Sequence, residues 1–172
     1  MTKQKQKKLC AASPLVCAAV FCAVCVIFMI TALLLPRPAV RGEFTPPPFA
    51  ENAEVGLPEV PDALGWFTPQ AEGLPMKVSV CGEVIIADGA ADVYFTNHAQ
   101  NDTWMQLRIL DEDGQILAQS GIVRPGEYIR TVTFDRLPRD GAVIIHKIMA
   151  YEPQTYYSAG SFSLKTTAQI GG

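Results

Sequence analysis

Cysteine is scarce where a small exterior domain would use it. The 172-residue chain has five, and Cys10, Cys17, Cys22 and Cys25 all fall near its start. Only Cys81 lies in the remainder, so that part forms no internal disulfide and must hold by packing. Cys81 itself reads as a small apolar core residue. Histidine is scarcer: His98 and His146 are the only two. They stand far apart with no cysteine at ligand spacing, so there is no zinc pattern. The chain also lacks a Gly-x-Ser-x-Gly elbow and a phosphate-binding glycine loop. Beyond Leu35 it carries 10 basic against 17 acidic residues, a net of −7, with no basic stripe. That balance argues against nucleic acid as a partner.

Charge is missing altogether between Lys8 and Arg37. Ser13 is a suitable helix cap and Pro14 a suitable first-turn residue, while Pro36 and Pro38 stop the helix. A helix over residues 14–35 is about 33 Å long and matches the hydrocarbon thickness of a bilayer. The sequence therefore predicts a transmembrane helix, in contact with lipid from Leu15 to Leu35. The run is longer than the apolar segment of a cleaved signal peptide, which favours a retained anchor. Lys3, Lys5, Lys7 and Lys8 precede it and Arg37 and Arg41 follow. The excess on the amino side keeps residues 1–13 as a cytoplasmic basic tail and sends the rest outside the cell membrane. Ala19 with Ala23, and Ala18 with Cys22, place small residues four apart, the spacing of a weak homodimer through the helix.

Residues 36–75 hold nine of the 13 prolines, three of them in Pro46-Pro47-Pro48. This stretch reads as an extended, semi-rigid proline-rich linker. Its Trp66-Phe67 pair is expected to dock back on the following domain.

From Met76 the period changes to two. Val78 and Val80 alternate with Ser79 and Cys81, Gly82 marks a bend, and Val84-Ile85-Ile86 resumes the strand. Further strands are expected around Val93 and Phe95, over 104–110, 115–120, 128–134 and 143–151, and from Gly160 to Ile170. Asp88-Gly89, Asp111-Glu112-Asp113-Gly114, Pro125-Gly126 and 138–141 supply turns. On strand 128–134, Tyr128, Arg130, Val132 and Phe134 should share one face. Strand 143–151 is the most apolar and should be central. About seven strands over 76–172 with no helical period predict an all-β fold, an antiparallel sandwich of immunoglobulin or fibronectin type, with a small open barrel as the alternative.

From Ala53 onward, over most of the exterior domain, the chain is similar to a set of single-span, membrane-anchored exterior proteins of Gram-positive, clostridia-type bacteria. The likeness rests on Asn52-Ala53-Glu54-Val55-Gly56, the run from Phe95-Thr96-Asn97 to Met105-Gln106-Leu107, Gly114 to Ile129 with its Ser120-Gly121-Ile122 and Arg124-Pro125-Gly126, and Ala150 to Thr155. It implies an immunoglobulin-like sandwich at a bacterial surface and no reaction. Ala142-Val143 stands where such domains often have a corner tyrosine.

No catalytic, cofactor-binding or metal-binding residue is assigned. His98 lies in the polar loop 97–102 and is a binding-loop candidate or a solvated histidine; His146 is expected to be a sheet-face residue. Asp111 to Gly114 reads as a hairpin turn, lacking the ligand ladder of a calcium loop. Asn101-Asp102-Thr103 matches a glycosylation sequon. The expected function is a surface interaction module with an unknown protein or cell-surface partner, binding through end loops or an open strand edge. The alternative is a non-catalytic accessory subunit of an envelope or secretion complex. An enzyme is not expected.

Overall fold

The computed structural model describes residues 18, 20–26, 28–29, 45–69 and 76–171. The basic tail, both ends of the expected membrane helix, and parts of the expected linker lie outside the described residues. Residues 18, 20–26, 28 and 29 are helical. Among the described residues no helix is long and apolar enough to cross a membrane. These helical residues belong to one compact unit, Met1–Phe44, and the strands to another, Thr45–Gly172.

The strand unit is all-β and sandwich-like. Its strands are β1 (Ala53–Val55), β2 (Trp66–Phe67), β3 (Val78–Cys81), β4 (Val84–Ala87), β5 (Ala90–Asn97), β6 (Trp104–Leu110), β7 (Ile116–Gln119), β8 (Glu127–Thr133), β9 (Val143–Tyr151) and β10 (Ser158–Ile170). They hydrogen-bond in the order β1-β8-β5-β4-β10-β9-β6-β7, with β3 added to β5 and β2 to β3. β10 links two layers. Its residues 158–167 pair antiparallel with β9, and its last three, Ala168 to Ile170, pair parallel with β4. The sheet thus curls over one core. Val84, Ile86, Val93, Phe95 and Ile129 from one layer meet Met105, Leu107, Ile109, Ile144 and Ile148 from the other. As the sequence predicts, β9 is central, between β10 and β6.

Three features differ from the sequence reading. First, residues 45–69 join the domain and are no free linker. β1 pairs with β8, and Phe49 forms a parallel bridge with Ile122. Strands of two or three residues are too short to show an alternating period, and proline tolerates an edge position. The docking expected of Trp66-Phe67 is met: Trp66 lies opposite Cys81 and Phe67 opposite Val80. Second, eight strands follow Met76, because the bend at Gly82 separates β3 from β4. Each then pairs with a different stretch of β5.

Third, the inward face of β8 shifts by one residue. Ile129 and Val132, three apart, both enter the core, while Arg130 stays exposed. The cause is a bulge on β5. Between the pairs Asp92↔Thr131 and Phe95↔Ile129, β5 spends two residues where β8 spends one. Tyr94 in that bulge takes φ +41°, a left-handed conformation. One added residue on one strand resets which side chains face inward.

The segment 48–50 rests directly on Gly121. Ile122 N–H donates to Pro48 O at 2.8 Å and Ala50 N–H to Ile122 O at 2.9 Å. A Cβ on Gly121 would stand 2.5 Å from Ala50 N and 2.8 Å from Phe49 C, which are backbone atoms that cannot swing aside. Replacing Gly121 by Ala is expected to cost about 2–3 kcal/mol, in the range of overpacking. It should also separate Phe49 from Trp104 and change tryptophan fluorescence. Chemical denaturation followed by fluorescence tests this, and an unaltered midpoint would show that the close approach is not needed.

Candidate functional site

Three places in the domain bring chemically capable side chains together. The first is the end loop after β5. His98 is not a freely solvated loop histidine. Its Nε2 lies 2.8 Å from Ser79 Oγ, which lies 2.6 Å from Thr68 Oγ1. Burial first, and then Lys77, hold the His98 imidazole below the usual histidine range. A histidine beside a serine is the geometry of a nucleophile and its base. Here Ser79 is fully buried and bonded on both sides, so its hydroxyl cannot reach a substrate.

The same loop is clamped by asparagines. Lys77 N–H donates to Asn101 Oδ1 at 2.8 Å, and Asn101 Nδ2 donates to Asn97 Oδ1 at 2.7 Å. Asn97 Nδ2 donates to the carbonyls of Thr103 and Val123. Asn101 is only 8% exposed, so the sequon asparagine is closed to a glycan. The loop is preformed, with Ala99, Gln100 and Asp102 at its exposed tip.

The second place is an aromatic row at the β9–β10 end. Phe49 and Trp104 pack edge to face with centroids 4.9 Å apart, and Trp104 and Tyr156 do so at 5.3 Å. The Arg124 guanidinium sits 3.8 Å above the Phe49 ring and pairs with Glu127 at 3.3 Å. Tyr157, beside the row, is 71% exposed. The connecting loop holds Gln154 at φ +70° and Tyr156 at φ +58°.

The third place is a cavity of about 60 Å³ lined by Phe67, Cys81, Gly82, His146, Leu164, Lys165 and Thr166. β3 supplies Cys81 and β9 supplies His146. His146 lies in register between Ile109 and Leu164 and is 1% exposed. Among the described residues its Nε2 has no hydrogen-bond partner. Burial pushes its imidazole from the ordinary 6.5 down to about 4, so it is neutral at pH 7. Cys81 is fully buried, and burial, then Asp92, pushes its thiol up to about 12. That burial fits the expected core role and leaves no access for a disulfide to another chain.

Sequence reading found His98 and Cys81 individually but missed their surroundings. Cys81 and His146 are brought to one cavity by strand order, and no local spacing announces that. The β6–β7 connection is the hairpin turn expected. Asp111 Oδ1 accepts from Gln115 N–H at 2.7 Å, and Asp111 Oδ2 pairs with Arg136 at 3.2 Å. Among the described residues no group of three or more His, Cys, Asp or Glu is placed to hold a metal ion.

His146 sets a pH dependence. Its folded pKa, about 4, lies below its unfolded value near 6.5, so the unfolded chain takes up the proton first. Stability is therefore complete above pH 6.5 and falls as pH drops towards 4, by on the order of 3 kcal/mol. Replacing His146 by Leu removes both that proton and an unpaired buried nitrogen. The variant should be at least as stable at pH 7 and lose less stability on acidification. Denaturation midpoints from pH 7.5 to 4 measure this; parallel curves for the two proteins would contradict it.

No protein-family model matches this chain. No curated protein matches it. Among solved structures, the crystal structure of CopC from Methylosinus trichosporium OB3b is similar over 53% of this chain and 87% of its own, at 13% identity and a TM-score of 0.33.

Proposed function

We propose that this chain is a membrane-anchored, extracytoplasmic interaction module. In this reading the helix over residues 14–35 holds an immunoglobulin- or fibronectin-type sandwich outside the cell. With residues 45–69 in the domain, only 36–44 remain as the connection. The uncharged run from Leu9 to Pro36 and the lysines before it support the anchor and its orientation.

The observation that carries the binding role is the aromatic row Phe49, Trp104 and Tyr156 with Arg124 and the exposed Tyr157. Trp, Tyr and Arg are the side chains that concentrate binding energy at interfaces. The β9–β10 loop, which presents Tyr156 and Tyr157, carries two non-glycine residues at positive φ, Gln154 and Tyr156. Each costs on the order of 1–2 kcal/mol, and such strain gathers where a loop is shaped for recognition. A site at one end of a sandwich also matches where such folds carry their binding loops.

Two measurements test the reading. Full-length protein in detergent micelles should co-sediment with isolated cell envelopes. Changing Tyr157 to Ser together with Arg124 to Gln should weaken that retention at least tenfold with the thermal midpoint unchanged, as expected for interface anchors. Equal retention of the two proteins would remove the aromatic end from consideration. Protease added to intact cells should degrade the strand domain while a tag at the N-terminus survives; a protected strand domain would reverse the proposed orientation.

A further inference from the structure

The cavity between β3, β9 and β10 has a donor set that no part of the interaction role uses. Its walls bring one sulfur, Cys81, and one imidazole, His146, with Phe67, Gly82, Leu164, Lys165 and Thr166 around them. Among the described residues no carboxylate lines it. Thr166 Oγ1 already donates to Gly82 O. Lys165 is exposed and stands at the solvent side. His146 is nine-tenths buried with Nε2 unpartnered, and Cys81 is fully buried and free of any disulfide. A buried polar atom left without a partner costs about 1–3 kcal/mol. The cavity of about 60 Å³ thus has both that unpartnered nitrogen and a free thiol in its walls.

The strap formed by β2 covers this place. Phe67 closes over Gly82, where an added Cβ would meet Phe67 Cε1 at 3.4 Å and Gly65 O at 3.3 Å. Trp66 Nε1 donates to Tyr94 O at 3.0 Å and fixes the strap. Phe67 is 42% exposed, so a thin apolar lid separates the cavity from solvent.

We propose that this cavity binds a soft monovalent cation, of the copper(I) or silver(I) kind, between Cys81 Sγ and His146 Nε2. Thiolate and imidazole are the donors that such ions prefer, and harder ions prefer oxygen. Two donors complete a linear site for a d10 monovalent ion. Zinc needs four ligands and calcium six or more, and among the described residues no third His, Cys, Asp or Glu joins the pair. On binding, S–metal and N–metal bonds form, the Cys81 S–H bond breaks, and its proton leaves to solvent. No electron is transferred. The ion would supply the partner that His146 Nε2 lacks.

The test uses the full chain in detergent micelles with Cys10, Cys17, Cys22 and Cys25 replaced by Ala, so that Cys81 is the sole thiol. Silver(I) is titrated in halide-free buffer, and copper(I) anaerobically against a chromophoric chelator. The expected result is one cation bound and one proton released per chain, with a sulfur-to-metal band in the near ultraviolet for copper(I). Cys81→Ser should abolish binding. His146→Leu should weaken it by more than about 100-fold, beyond what loss of an outer-shell partner costs. His146→Met restores a soft donor in a side chain of about the volume of Leu and should recover most of the affinity, which separates ligation from any effect on folding. Absence of a stoichiometric cation in the parent chain would overturn the proposal and leave a buried water as the partner of Nε2. Binding that Cys81→Ser loses but His146→Leu retains would overturn it too, since the thiol alone would then be the site.

Discussion

Everything in the strand unit depends on β10 belonging to two layers. Its first ten residues run against β9 and its last three run along β4. The two sheets therefore share a covalent seam and close over one set of apolar side chains. A domain with a single cysteine has no internal disulfide. Its cohesion comes from apolar surface removed from water, about 25 cal/mol per Å². Val84, Ile109, Ile144, Ile148 and Ala168 are all fully buried, and they come from β4, β6, β9 and β10. The seam is also what places His146 of β9 beside Leu164 of β10 and opens their common cavity towards Cys81.

The bulge at Tyr94 is the second organising device. It lets β5 present Ala91, Val93 and Phe95 to the core while β8 presents Ile129 and Val132. It also turns the Tyr94 carbonyl towards Trp66 Nε1, and Thr96 Oγ1 donates to the same oxygen. The strap β2 is tied down by this bond and by its pairing with β3. One irregularity in one strand thus seals Cys81 and exposes Arg130, which pairs with Asp92 at 3.0 Å. Residues 48–50 are held in another way, through the absence of a side chain at Gly121, and they bring Phe49 to Trp104.

Much of the strand layout was legible because alternation and turn chemistry are local. Gly126 takes φ +81° where Pro125-Gly126 predicted a turn, and Glu127 N–H closes it onto Arg124 O. β1 and β2 were not legible, since two or three residues carry no period. The face of β8 was misread because the residue that shifts it sits on β5. His98 was recognised as a loop histidine, but its bond to Ser79 crosses 19 residues of chain and leaves no mark in either local pattern.

By itself the sequence determined an uncharged apolar run, an acidic remainder with one cysteine, and a succession of strands and turns. Those are properties of neighbouring residues: hydropathy, charge, and backbone preference. Tertiary structure alone decided which strands pair, that 45–69 belongs to the domain, that Cys81 and His146 line one cavity, and that Phe49 meets Trp104. Such meetings follow from sheet order and from one bulge, and pairing between distant strands is set by how the whole core closes.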